Sequence, residues 1–446
     1  MPEPSVSNLS NLRAPITRRN WIALTSGAIA MTALHGGSNV NGNHPLAHAC
    51  LASDDSIPKK KVAAVVTVYR KNSHADVLVG KILEGWQQDG GPGPALELVS
   101  LYVDQFPEED LSVKLAEKHG FLMCKTIRES ITLGGNDVAV DGVLSIGEHG
   151  DYPWNEFGQH LYPRKRFFEE ITDTFASCKR VVPVFNDKNP GPEWVDAQWM
   201  YRRAKELQVP WMAGSSLPVS FRSPDANLKM GSKVEACVGI GYSGLDIYGI
   251  HTLEFLQCIL ERRAGAESGV RSVQAVPTTQ IGRLLAEGII DGNLMDLGLA
   301  VTNTDRTAVL ESPPSDGAVF LIDYKDGLMV PVLMLPGLAQ GIAAAVKPAG
   351  EAGFATRVEE REKPYYPHFA YLLKGIEAMI HTDKPTYPVE RNMLTAGTLD
   401  QLLVSLREGS RKIATPDLEI AYQPTDYSYA PHLPLDGLHE ETALKR

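Results

Sequence analysis

Residues 62–69 read Val-Ala-Ala-Val-Val-Thr-Val-Tyr, an almost unbroken run of apolar and β-branched side chains. A run without polar alternation is typical of a strand that is buried on both faces of a parallel sheet. Residues 74–86 follow with helical periodicity, and residues 96–104 form a second apolar run. This order predicts a β-α-β unit with a right-handed crossover at the start of the folded chain.

The same alternation continues as far as residue 214. Helical patterns and short apolar runs take turns along the chain, which predicts a Rossmann-like domain with a parallel sheet over residues 60–218. The predicted helices are 110–119, 167–177 and 193–207, and the predicted strands are 121–127, 142–146, 181–185 and 210–214.

The pattern changes after residue 220. Two apolar runs flank Lys325-Asp326-Gly327, which predicts a hairpin of strands 318–324 and 328–335. Together these patterns predict an α+β domain with an open, mainly antiparallel sheet over residues 219–415, followed by an irregular tail at 416–446. The other predicted strands are 233–242, 270–276 and 340–347, and the predicted helices are 252–263, 369–381 and 394–408.

The first 49 residues have the features of an export signal. The pair Arg18-Arg19 precedes a weakly apolar run, and Ala47-His48-Ala49 has the small residues of a cleavage site. The apolar run is too short and too polar to span a membrane. The sequence therefore predicts a twin-arginine (Tat) signal peptide and linker at 1–49, a periplasmic or other extracytoplasmic location and no membrane span in the mature protein. Lipid attachment at Cys50 stays open.

Composition limits the function classes. The 446 residues carry a formal net charge of −11, which argues against nucleic acid as a partner because phosphate binding needs a clustered basic face. None of the five cysteines forms a Cys-x-x-Cys pair, so we assign no zinc site.

Several segments resemble the Gfo/Idh/MocA oxidoreductases over residues 60–415. The run 184–190, Val-Phe-Asn-Asp-Lys-Asn-Pro, is similar to the family's Glu-Lys-Pro segment. The run 248–254, Tyr-Gly-Ile-His-Thr-Leu-Glu, is similar to its Gly-x-His-x-x-Asp segment, and 320–332 and 387–390 match two further segments. The resemblance implies hydride transfer between NAD or NADP and a sugar, polyol or related hydroxylated molecule, in a protein that can form homo-oligomers.

The resemblance also implies catalytic residues. Lys188 follows a predicted strand and would orient the substrate hydroxyl, with Asp187 tuning its proton affinity. His251 would be the general acid or base. One departure concerns the family's catalytic Asp, whose position holds Ile247, while Asp246 is displaced by one residue.

The cofactor residues are expected at the carboxyl ends of the first strands. The turn after the first strand contains no glycine, unlike the family's, although Arg70 could neutralise phosphate and Ser73 could cap the next helix. Asp104, at the end of the second strand, is expected to bind the adenosine ribose. The predicted cofactor-binding residues are Tyr69, Arg70, Ser73, Asp104, Gly147, His149 and Lys188.

The predicted substrate-binding residues are Asp151, His160, Trp194 and Tyr248, of which the first two belong to a loop dense in titratable groups. Within that loop, Glu148, His149, Asp151 and His160 also offer oxygen and nitrogen ligands for a divalent metal. Our interpretation assigns no metal and keeps this cluster as an alternative.

Two alternatives for the function stay open. An exported enzyme could retain NAD and use transient oxidation to cleave a glycoside. A chain without the glycine turn could instead bind a carbohydrate without any nucleotide or catalysis.

Overall fold

The computed structural model describes residues 58–435, so the predicted signal segment and Cys50 lie outside the described residues. Six strands form a first sheet in which every pair is parallel. They are β1 (Lys60–Val66), β2 (Leu96–Val103), β3 (Leu122–Cys124), β4 (Gly142–Ile146), β5 (Val184–Asp187) and β6 (Trp211–Gly214), in the order β3-β2-β1-β4-β5-β6. The predicted Rossmann-like parallel sheet is confirmed.

Helices connect these strands, as the alternating pattern predicts, although the pattern gives no helix at 127–132. They are α1 (His74–Glu84), α2 (Ser112–His119), α3 (Ile127–Thr132), α4 (Arg164–Cys178) and α5 (Trp194–Leu207). The Ser73 hydroxyl accepts a hydrogen bond from the amide of Asp76, so the predicted cap at the start of α1 is confirmed. The predicted strand at 121–127 is shorter than expected because Thr126 caps α3 by accepting from the amide of Glu129.

Eight strands form a second, mixed sheet, and only β8 and β11 pair in parallel. The strands are β7 (Phe221–Ser223), β8 (Val234–Gly241), β9 (Val270–Pro277), β10 (Ala318–Tyr324), β11 (Met329–Met334), β12 (Ala343–Pro348), β13 (Phe354–Glu359) and β14 (Ile413–Ala414), in the order β14-β9-β10-β11-β8-β12-β13-β7. The predicted hairpin is β10–β11, with Phe320 opposite Val332 and Gly327 at a φ of 96° in its turn. The expectation of a mainly antiparallel second sheet is confirmed.

The helices of the second half are α6 (Ile247–Leu260), α7 (Ile281–Ala286), α8 (Gly292–Val301), α9 (Arg306–Glu311), α10 (Pro367–Thr382) and α11 (Glu390–Arg407). The sequence patterns did not predict α7, α8 and α9, because helices of six to ten residues are too short for a clear periodicity. No described helix is long and apolar enough to cross a membrane.

The helix α10 lies far along the chain but packs on the first sheet. Phe369, Ile376 and Ile380 belong to the same buried cluster as Val62 and its neighbours in β1 and β4. Residues from the predicted second domain thus cover the core of the predicted first domain. The domain boundaries at 218 and 415 stay a prediction.

A buried carboxylate connects α6 to the end of the first sheet. Both carboxylate oxygens of Glu254 accept from the amide of Ser215, at 3.1 and 3.0 Å. Gly214 has a φ of 138°, and a Cβ there would lie 2.3 Å from Glu254 Oε1, so this approach requires glycine. Burial raises the pKa of Glu254 to about 7, against the opposing effect of the Ser215 amide.

We expect Glu254→Gln to make the protein more stable at pH 8 but not at pH 4. In the unfolded chain the carboxyl ionises near its usual pKa of about 4.3, whereas in the folded protein it keeps its proton up to about pH 7. Stability is therefore lost as the pH rises between these values, by roughly 4 kcal/mol when complete. Urea unfolding of both proteins from pH 4 to 8 measures the difference, and parallel pH profiles would contradict it.

Candidate functional site

The site lies at the carboxyl edge of the parallel sheet, where open α/β folds place their ligands. Lys188 directly follows β5, is 3% exposed and has a left-handed φ of 62°. Its amide donates to the carbonyl of Gly214 at 3.1 Å. A non-glycine residue seldom adopts this conformation, so the surrounding structure holds the Lys188 backbone in place.

The ammonium of Lys188 belongs to a buried ion network. Its Nζ donates to Glu148 Oε1 at 2.6 Å, and Arg164 Nη2 donates to Glu148 Oε2 at 2.7 Å. Arg164 also donates to the carbonyl of Gly147 at 2.9 Å and to Asn189 Oδ1 at 2.7 Å. Burial alone would raise the pKa of Glu148, but the two cations outweigh it and hold this pKa below its usual range. Lys188 therefore pairs with Glu148 and not with the predicted Asp187.

Asp187 instead contacts a histidine on another element. His74 Nδ1 lies 2.6 Å from Asp187 Oδ2, and this pair connects the start of α1 with the end of β5. The His74 ring also lies 5.3 Å from the ring of His149 and 5.0 Å from that of Phe369. The sequence patterns gave His74 no role, because nothing local shows that its side chain reaches a residue 113 positions away.

His251 lies in the first two turns of α6, as the sequence predicts, and faces the same cluster. Burial lowers its pKa well below the usual value, and the positive charge of Lys188 adds to this effect. The imidazole is thus neutral at pH 7, and its buried Nδ1 has no hydrogen-bond partner among the described residues. A neutral ring with a free nitrogen can accept a proton. The predicted substrate residue Tyr248 lies beside it, with ring centroids 5.9 Å apart.

His149 is a second neutral histidine at this edge. Burial and the nearby His74 lower its pKa to about 4, and its Nε2 is buried without a described partner. Asp187 Oδ1 is also buried and has no hydrogen-bond partner among the described residues. Three buried polar atoms, namely His149 Nε2, Asp187 Oδ1 and His251 Nδ1, thus have hydrogen-bonding capacity that no described residue uses.

The turn expected to hold the cofactor phosphates contains no glycine, yet one of its residues has a left-handed backbone conformation. Asn72 adopts a φ of 62°, and Asn is one of the residues that tolerate it. Arg70 is exposed, while Ser73 is buried and occupied by its capping bonds. Tyr69 is fully buried and lines a groove of about 700 Å³ that α1 and α2 border, together with Lys114.

Asp104 lies at the end of β2 as predicted, but its carboxylate already has partners. It accepts from Tyr102 and Tyr152 and forms an ion pair with Arg166 at 2.6 Å. Burial opposes ionisation, yet these bonds hold the pKa of Asp104 below its usual value.

The loop after β4 contains the other predicted residues. Gly147 leaves room for Arg164, whose Cγ would lie 2.7 Å from a Cβ at this position. Asp151 is exposed, and its amide donates to Gln105. Within residues 58–435, no group of three or more His, Cys, Asp or Glu could hold a metal ion, and Glu148 is committed to its ion pairs. The structure thus does not bring Glu148, His149, Asp151 and His160 together as a group of metal ligands.

The remaining predicted residues lie on both sides of this loop. The amide of His160 donates to Asp246 Oδ2 at 3.0 Å, so the displaced acid beside Ile247 holds the loop after β4 at the start of α6. Burial raises the pKa of Asp246. Trp194 lies against Gly397 of α11, where its indole packs between helices.

No family model and no curated protein matches this sequence. Solved structures do match. GenD2 from gentamicin A biosynthesis, crystallised in complex with NAD, has a TM-score of 0.52 at 13% identity, over 85% of this chain and 99% of its own.

Two inositol dehydrogenase structures are also similar. A protein described as a myo-inositol dehydrogenase from Sinorhizobium meliloti 1021 has a TM-score of 0.51 at 12% identity, covering 80% of this chain and 99% of its own. A scyllo-inositol dehydrogenase from Lactobacillus casei has a TM-score of 0.50 at 9% identity, covering 80% and 98%. The described chain therefore shares its fold with GenD2 and with these two inositol dehydrogenase structures.

Proposed function

We propose that this chain is a divergent Gfo/Idh/MocA oxidoreductase that transfers hydride between a hydroxylated, carbohydrate-like molecule and NAD or NADP. One observation carries the proposal. The buried Lys188–Glu148 pair lies at the carboxyl edge of a six-stranded parallel sheet, and its charges act on the neutral His251. The fold shared with the dehydrogenase structures supports it.

The described residues fit a dinucleotide. At the reacting end, the unpartnered atoms of His149, Asp187 and His251 would receive the polar groups of nicotinamide and substrate. At the phosphate end, Arg70 and Lys71 are exposed next to the positive N-terminus of α1. The nicotinamide, when bound, supplies the hydride acceptor or donor.

The side chains of the site stabilise the substrate oxygen, transfer the proton and orient the reacting groups. Lys188 donates a hydrogen bond to the substrate oxygen and stabilises the negative charge that develops there. His251 takes the hydroxyl proton through its free nitrogen, because it is neutral at physiological pH. The His74–Asp187 pair orients the groups beside Lys188. Asp104 with Arg166 offers an acceptor for a ribose hydroxyl and a cation for a phosphate, so the choice between NAD and NADP stays open.

We expect the full-length protein, purified natively, to release NAD(H) or NADP(H) after acid treatment, or to show a thermal shift when either is added. Bound nucleotide in the supernatant would support the oxidoreductase. If no nucleotide is released and neither nucleotide causes a thermal shift, the oxidoreductase proposal is overturned. The carbohydrate-binding alternative would then remain. Product analysis with aryl glycosides distinguishes the oxidoreductase from the glycoside-cleaving alternative. Only the glycoside-cleaving enzyme would liberate the aryl alcohol.

We expect Lys188→Met to lower kcat at least about a hundredfold, because the substrate oxygen loses its charged donor. Lys165→Met is the matched control, since Lys165 pairs with Asp196 at the surface at 3.0 Å and should retain activity. Assays follow nicotinamide absorbance with a panel of polyols and sugars, and circular dichroism verifies the fold. Full activity of a folded Lys188→Met protein would show that the site is misplaced.

We also propose that the protein is exported through the Tat pathway with its cofactor already bound. The support is the Arg18-Arg19 pair, because this pathway carries folded proteins and nicotinamide is scarce outside the cytoplasm. Replacing both arginines by lysine should retain the full-length precursor in the cytoplasm, as cell fractionation would detect. Export of the Lys-Lys variant at the unchanged rate would refute the signal.

A further inference from the structure

The tryptophan at position 154 lies near the site and is exposed rather than part of the buried core. Trp154 is 55% exposed, and its indole stacks on the His160 ring at 4.3 Å and 12°. His160 in turn lies 4.1 Å from the ring of Tyr162, and the guanidinium of Arg164 lies 5.0 Å from that ring. One indole face is thus covered by His160, while much of the ring remains open to solvent.

The loop holds this indole in place through a short hairpin. Trp154 and His160 form an antiparallel bridge, and the amide of Asn155 donates to the carbonyl of Gln159 at 3.0 Å. The Gln159 side chain donates to the carbonyl of Pro192 at 2.6 Å and to Asp400 at 3.0 Å. A fixed ring loses little entropy when it binds a ligand, so this loop is preorganised.

The stack leads directly to the reacting groups. His160 donates its amide to Asp246, and Arg164, at the inner end of the stack, is bonded to Glu148, the partner of Lys188. The outer end of the stack is therefore separated from the Lys188 network by three successive contacts between neighbouring side chains.

The surroundings of Trp154 match a neutral sugar. An indole face packs well on the apolar C–H face of a pyranose. Its neighbours along the chain, Asp151, Pro153 and Glu156, are exposed as well, so two carboxylates accompany the ring at the surface. The two carboxylates can accept hydrogen bonds from sugar hydroxyls and would repel an acidic sugar.

We infer that Trp154 is the platform of a second sugar subsite, and that the substrate is a neutral oligosaccharide or glycoside with one ring at Lys188 and another on Trp154. This inference rests on the proposed function only for the ring at Lys188. A free monosaccharide would fill one subsite and bind more weakly.

Calorimetric titration of the full-length protein tests the subsite without requiring turnover. The probes are maltotriose, cellotriose and chitotriose, each beside its own monosaccharide. We expect at least one trisaccharide to bind tenfold or more tightly than its monosaccharide. Trp154→Ala should remove this advantage and leave the affinity for the monosaccharide unchanged, whereas Trp154→Phe should keep most of it.

Leu310→Ala is the control, because Leu310 is an exposed apolar residue of α9 at 39% exposure. It should keep the full advantage. The inference is overturned if no trisaccharide exceeds its monosaccharide, or if Trp154→Ala retains the difference. Failure of the proposed function is distinguishable, since a protein without nucleotide that still shows the Trp154-dependent advantage loses only the oxidoreductase assignment.

Discussion

The buried carboxylate of Glu148 is the interaction on which the site depends. Lys188 approaches it from β5 and Arg164 from α4, while Thr67 fixes the Glu148 carbonyl by donating to it at 2.6 Å. Removing Glu148 would leave two buried cations without a compensating charge, which costs about 3–5 kcal/mol. The same network fixes the Lys188 ammonium at the edge of the sheet. Burial lowers the pKa of the His251 and His149 imidazoles there, and the positive charge of Lys188 adds to this effect. The charged ammonium of Lys188 and the neutral imidazoles of His251 and His149 can thus be present at the same pH.

The architecture was predictable where the local sequence is decisive. The run at 62–69 has no polar alternation, so a strand covered on both faces was its natural interpretation, and Gly327 marked the hairpin turn. The short helices α7 to α9 and the exact strand ends depend on caps and on tertiary packing. Thr126, which ends the third strand by starting a helix, is an example.

The candidate site was only partly predictable. Lys188 and His251 occupy motif positions, and the structure brings both to one edge, although their roles stay predictions. The pairing of Lys188 with Glu148, and of Asp187 with His74, could not be read from the sequence because each joins separate elements. The partners of Lys188 and Asp187 are determined by the side chains that the folded sheet brings close to each of them.

The position of α10 also has a consequence for synthesis. The buried ammonium of Lys81 in α1 donates to the carbonyl of Tyr365 at 2.6 Å, although 284 residues separate them. Ribosomes deliver the first half of the chain long before this partner exists, so the apolar surface that α10 covers stays open for most of translation. Contacts so distant in sequence form slowly, and exposed apolar surface attracts other chains in the meantime. The order of synthesis therefore makes the nascent chain prone to aggregation until α10 has emerged.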